Sequence, residues 1–235
     1  MQRPVAVLTG GTGGLGREVA QRLAARDFNL AVSYLVPEQA NALESHLGLG
    51  EDRLLLRRCD CTEADATRRF IDDAAARFGG LNVLACLVGG WAGGRDVDDT
   101  DDVRFERMIE LNLRTSFNAS RAAIPYLREA EWGRIIMIGS RAAIEPPAGQ
   151  AMYNIAKAGV IALARSIAQE VAADDVTSNV VVPSMIDTPA FREAVPYADY
   201  VGWPTPADIA AVIDFLASAD SAVVNGAMIP VYGKS

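Results

Sequence analysis

Histidine is almost missing from this 235-residue sequence, His46 on a helical pattern being the only one. A Ser-His-Asp hydrolase would have to rest on that single residue, and no nucleophile elbow is present, so hydrolase chemistry of that kind is excluded. Cysteine is scarce too. Cys59, Cys61 and Cys86 form an odd set without regular spacing, which suits a reducing cytoplasm and argues against a disulfide framework. Cys59-x-Cys61 has no second pair to complete a tetrahedral site, so buried thiols are expected there and no metal. Basic residues are outnumbered 22 to 30, for a net charge of -8, and the pI is near 4.7. Nucleic acid and anionic membrane surfaces both select a basic face and are therefore excluded as partners. No apolar run approaches the roughly 20 residues that span a bilayer. The opening Met1-Gln2-Arg3-Pro4 leads straight into a strand pattern and does not read as a signal peptide.

What the sequence does have is apolar residues, 50% of the chain, arranged in short runs that alternate with helical patterns. The runs are Val5–Leu8, Phe28–Tyr34, Arg53–Leu56, Leu81–Val88, Arg134–Ile138, Thr177–Val182 and Ala227–Val231. Between them lie helical stretches around Leu15–Ala24, Pro37–Leu47, a helix opened by Thr62-x-x-Asp65, a long segment Asp102–Leu127, Gln150–Ala172 and Pro206–Ala217. Residues 184–203 carry Pro189 and Pro196 and read as irregular. Continuous apolar strands separated by helices predict an α/β domain over 1–235, doubly wound, with a seven-stranded parallel sheet covered by helices on both faces. Ligands in such sheets bind beyond the carboxyl ends of the strands, which directs attention to the loops there.

The first of these loops is Thr9-Gly10-Gly11-Thr12-Gly13-Gly14-Leu15-Gly16, between a strand and a helix. Glycines let the backbone approach a pyrophosphate, and the helix N-terminus offers it free N–H groups. At the end of the second strand, where a carboxylate would hold ribose hydroxyls and repel a 2′-phosphate, stand Ser33-Tyr34, with Arg17 just past the glycines. NADP(H) is expected ahead of NAD(H), which stays possible. Asp60 can meet an adenine amino group or cap the next helix.

Tyr153 and Lys157 lie four residues apart on a helical pattern and share one face. An ammonium beside a phenol stabilises the phenolate and moves it toward neutral pH. Ser140, at the end of the fifth strand, can meet a substrate oxygen. Asn112 is a polar residue inside the long helical segment and suggests a polar task there, such as holding a water beside Lys157.

With these motifs in hand, the chain resembles the short-chain dehydrogenase/reductases of the compact type, over essentially its whole length. The resemblance rests on Thr9-Gly10-x-x-x-Gly14-x-Gly16, Asp60, Asn112, Ser140, Tyr153-x-x-x-Lys157 and Ile186-x-Thr188. It implies a Rossmann fold and hydride transfer between a nicotinamide and a carbonyl or alcohol. Tyr153 then handles the proton, Ser140 orients the carbonyl, Lys157 lowers the tyrosine's pKa and binds the ribose, and Asn112 supports a relay. The implied cofactor contacts are Gly10, Thr12, Gly14, Leu15, Gly16, Ser33, Tyr34, Asp60, Cys61, Gly89, Tyr153, Lys157, Pro183, Ile186 and Thr188. A homotetramer built on the two long helices is also implied. Two departures stand out: Val88-Gly89-Gly90 replaces Asn-Ala-Gly, and Pro183-Ser184 replaces Pro-Gly.

Within the family, the serine, the glycine motif and the C-terminal segment look like the bacterial 3-oxoacyl-carrier-protein reductases. The Gly89–Gly94 run with Trp91, Asp187-Thr188-Pro189 and Trp203 look like the dihydropteridine reductases, so an NADH-dependent enzyme of that type is the alternative. A dinucleotide-sensing regulator is the non-enzyme alternative, and the intact Ser140, Tyr153 and Lys157 argue against it. Phe191, Tyr197, Tyr200 and Trp203 make the 184–203 segment read as a lid over a neutral or partly apolar substrate.

Overall fold

In the computed structural model of the protein, residues 3–194, 197 and 200–234 are described. The strands are β1 (Val5–Thr9), β2 (Asn29–Tyr34), β3 (Leu54–Arg58), β4 (Val83–Cys86), β5 (Gly133–Ile138), β6 (Val176–Pro183) and β7 (Met228–Val231). They form one sheet in the order β3-β2-β1-β4-β5-β6-β7, and every pairing is parallel. The doubly wound sheet expected from the alternation is present.

Helices α1 (Gly14–Ala25), α2 (Pro37–Leu47) and α8 (Pro206–Leu216) cover one face. Helices α3 (Ala64–Phe78), α5 (Thr115–Glu129) and α6 (Ala151–Glu170) cover the other. Strand β1 shows how side-chain alternation divides the core. Val5 and Val7 join the α3–α5–α6 side, while Ala6 and Leu8 join the α1–α2–α8 side. Fully buried leucines such as Leu8, Leu23 and Leu30 each contribute on the order of 2 kcal/mol to holding the layers together.

Three local expectations change. The long helix is not continuous. It runs as α4 (Asp102–Ile109), then a wider π turn over Glu110–Arg114, then α5. Asp101 caps it by accepting a hydrogen bond from the Arg104 N–H at 2.8 Å. The helix expected to open at Thr62 starts at Ala64 instead, because the Thr62 N–H and hydroxyl both turn back to donate to the Asp60 carboxylate at 3.0 and 2.7 Å. The 184–203 segment contains a short helix, α7 (Pro189–Ala194), so it is not wholly irregular. Val195, Pro196, Ala198 and Asp199 of that segment, like Met1 and Gln2, fall outside the described residues. Among the described residues no helix is long and apolar enough to cross a membrane.

Candidate active site

The loop after β1 leads into a helix start left open for an anion. Gly13 is the N-cap of α1, no side chain caps it, and no acid stands in the first turn. The first N–H groups and the positive end of the helix dipole are therefore available to a phosphate. Gly16 lets the helix sit against the loop, since a Cβ there would lie 2.5 Å from Gly11 Cα and 2.6 Å from the Gly10 carbonyl oxygen. This uncapped, glycine-lined helix start fits a dinucleotide pyrophosphate.

The loop is braced from behind. The Gly10 N–H donates to Ser33 Oγ at 3.0 Å, and Ser33 Oγ also lies 3.6 Å from Cys61 Sγ. Ser33 and Cys61, expected among the cofactor contacts, are both buried and support the loop from beneath. Strand alternation turns Ser33 inward while Tyr34, half-buried, turns the other way. Thr12 Oγ1 donates to Gln39 Oε1 of α2 at 3.2 Å. Tyr34 is in register with Arg58 of β3, which is exposed, as are Asp60 and Arg17. Leu15 is half-buried. Across the loop, a Cβ on Gly14 would lie 3.4 Å from Thr188 Cγ2, so the segment after β6 closes over the loop. Pro183 ends β6, and Ile186 packs onto the core shared by α1 and α8.

Ser140, Tyr153, Lys157 and Asn112 converge beside this loop. Ser140 follows β5, is buried, and accepts a hydrogen bond from the Ala142 N–H at 3.2 Å as it caps the 3-10 turn Arg141–Ala143. Its side chain is close enough to Tyr153 to exert a lowering effect on that residue's pKa. Lys157, one of only two lysines in the chain, is buried and donates from Nζ to the Ile138 carbonyl oxygen at 2.9 Å. Burial pushes its pKa down to about 8. Its Nζ sits 6.0 Å from the Tyr153 ring centroid.

The expected lowering of the Tyr153 pKa is not what this arrangement produces. Burial raises it, and the nearby Ser140 side chain offsets only part of that rise. Desolvation therefore dominates at this hydroxyl.

Asn112 lies in the π turn and is fully buried. Its Oδ1 accepts from the Gly90 N–H at 3.1 Å, and its Nδ2 donates to the Gly90 and Met108 carbonyl oxygens at 3.0 and 3.1 Å. Both amide protons are committed, so the side chain braces the β4 loop. Gly89 explains one departure from the family pattern. A Cβ there would lie 3.0 Å from Asn112 Oδ1 and 3.2 Å from Lys157 Nζ.

Two residues of the site were missed by sequence reading. Gly90 is the partner of Asn112, and Gln150, just before α6, accepts a hydrogen bond from the Trp91 indole N–H. Neither has a local signal beyond Gln150 being a polar residue at a helix start. Among the described residues no group of three His, Cys, Asp or Glu side chains could hold a metal. A cavity of about 480 Å³ opens along α2 and β3 between Tyr34 and Arg77, away from these four residues.

The sequence profile of the short chain dehydrogenases matches residues 4–198. The chain belongs to that family. It is 36% identical to the 3-oxoacyl-[acyl-carrier-protein] reductase MabA of Mycobacterium tuberculosis, over 97% of this chain and 90% of that protein. It is 31% identical to the corresponding reductase FabG of Escherichia coli, over 97% of this chain and 96% of that one. A crystal structure of a short-chain dehydrogenase/reductase (glucose/ribitol dehydrogenase) from Brucella melitensis superposes with a TM-score of 0.90 at 28% identity, covering 99% of this chain and 96% of the other. This short-chain dehydrogenase is thus an NAD(P)-dependent oxidoreductase whose relatives include the 3-oxoacyl-carrier-protein reductases.

Proposed function

We propose that this enzyme reduces a carbonyl compound to an alcohol with NADP(H), Tyr153 giving the proton. The convergence of Ser140, Tyr153 and Lys157 next to the uncapped start of α1 carries the reading. The nicotinamide, when bound, supplies the hydride. Gly14, Leu15 and Gly16 would hold the pyrophosphate on the open N–H groups of the first turn of α1, while Gly10, its own N–H tied to Ser33, lets the loop turn beneath it. Lys157 keeps two ammonium protons beyond the one given to Ile138, and these suit ribose hydroxyls. Ser140 orients the carbonyl oxygen toward the Tyr153 hydroxyl. The raised pKa keeps Tyr153 protonated through neutral pH, the state a proton donor needs. As the proton leaves, charge develops on the Tyr153 oxygen, and the Lys157 ammonium, 6.0 Å from the ring centroid, stabilises it. Asn112 acts as a positioning residue through Gly90.

The preference for NADP(H) is supported by the lack of a carboxylate at the end of β2 and by exposed Arg58, in register with Tyr34. The 184–203 segment serves as the lid. Phe105, Phe117 and Ile155, each over two-fifths exposed on α4, α5 and α6, support assembly of these helices into a homotetramer.

Tyr153→Phe tests the mechanism. Turnover should fall about 10³-fold, within the range general acids contribute, while tryptophan quenching by NADPH stays at the parent's level. A variant that turns over like the parent overturns the assignment.

A further inference from the structure

Trp91 is an exposed tryptophan that the fold holds from two sides. Its neighbour Gly90 exchanges both peptide hydrogen bonds with the Asn112 amide, and its own indole N–H donates to Gln150. Gln150 immediately precedes α6, three residues before Tyr153, so the indole is tied to a residue one helical turn ahead of the proton donor. Yet Trp91 is 55% exposed. A tryptophan filling the core would be buried, and one without a task would need no anchors. An anchored, open indole is a preorganised binding surface.

The facing wall comes from the 184–203 segment. Phe191 meets Trp91 edge-on with centroids 6.5 Å apart, Trp203 stands 5.4 Å beyond Phe191, and Tyr200 5.2 Å beyond Trp203. Gly93 lets the loop wrap the indole, since a Cβ there would lie 2.6 Å from Trp91 Cζ2.

The charges around this aromatic mouth point the same way. Asp96, Asp98, Asp99 and Asp101 follow Trp91 in the same loop, and Asp102 opens α4. The arginines bordering the mouth are engaged by the protein itself. Arg95 pairs with Asp101 at 3.5 Å, Arg104 donates to the Gly93 carbonyl oxygen at 3.4 Å, and Arg141 pairs with Glu145 at 2.8 Å. Arg192 grips Asp187 at 2.5 and 2.7 Å. An anionic tail leaving past Trp91 would meet carboxylates and already-paired guanidiniums.

We infer that the substrate is a neutral carbonyl compound bearing a flat conjugated ring, seated against the open face of Trp91 under the aromatic lid. An acyl group delivered on an anionic carrier, coenzyme A or an acidic carrier protein, is disfavoured at this mouth, in contrast to what the names of the relatives describe. The inference rests on the carbonyl-reductase reading and names its substrate class.

Three substrates sharing one 3-oxo group separate the possibilities: ethyl benzoylacetate, ethyl acetoacetate and acetoacetyl-CoA, each followed by NADPH and NADH consumption. The aryl ester should exceed the alkyl ester in kcat/KM by about tenfold, the worth of one aromatic contact, and the CoA thioester should rank last. Trp91→Ala should erase that aryl-over-alkyl ratio and Trp91→Phe should keep most of it. Equal rates for the two esters, a preference for the thioester, or a ratio unmoved in Trp91→Ala overturns the inference while leaving the reductase reading intact. No turnover of any of the three with either dinucleotide overturns both.

Discussion

Replacing Lys157 with methionine should give a protein that is inactive and more stable. The side chain is buried, and methionine matches its length without the charge. Moving an ammonium pKa from 10.5 to about 8 costs the folded state on the order of 3 kcal/mol. Losing the hydrogen bond to Ile138 takes back about 1 kcal/mol. The net gain is about 2 kcal/mol, or a Tm rise of roughly 4–8 °C for a chain of this size. The pH dependence follows from the same displacement. Below about pH 8 the ammonium is charged in both folded and unfolded chains, and the penalty is fully present. From about pH 8 to 10.5 the folded protein sheds the proton and the unfolded chain keeps it, so the parent gains stability and the variant's advantage shrinks. Urea and thermal unfolding of the nucleotide-free proteins from about pH 6 to pH 10 reads this directly. A variant less stable than the parent at pH 7, or an advantage that does not change with pH, would refute the account of Lys157 as a strained, desolvated cation kept for function.

Two further substitutions probe the surroundings. Gly16→Ala places a Cβ 2.5 Å from Gly11 Cα, so the loop must shift, and NADPH affinity by tryptophan quenching should weaken about 100-fold, or roughly 3 kcal/mol; unchanged affinity would mean that close approach of helix and loop is not what builds the nucleotide site. Asn112→Leu removes the partner of both Gly90 peptide groups and should destabilise the protein by about 2–3 kcal/mol in urea titrations. A loss under about 0.5 kcal/mol would show that the β4 loop is held by other contacts.

The sheet was readable in the sequence because parallel strands buried on both faces leave unbroken apolar runs, and those runs need nothing distant to interpret them. The π turn was not. It widens the helix over Glu110–Arg114 without disturbing the apolar spacing on either side, and Asn112 was its only trace. Ser33 shows a different gap. Its inward direction follows from strand alternation, but its partner Gly10 lies 23 residues earlier in a loop whose path only the folded chain defines. Lys157 and Tyr153 were legible as a pair, whereas the direction of the tyrosine's pKa was not. That depends on where the ammonium stands relative to the hydroxyl and on how much water the fold excludes.

The strand order carries a consequence for how the protein is made. β1 pairs with β2 along one edge, and its other edge belongs to β4, whose residues Val83–Cys86 are synthesised well after β2 and β3. A nascent chain that ends at β3 therefore presents an open apolar strand edge at what will become the middle of the sheet. The nucleotide crevice straddles that same seam, with the glycine loop on β1 and Val88–Gly90 following β4. Its assembly waits on a long-range pairing, so synthesis that stalls before β4 leaves a chain with neither a finished site nor a protected edge.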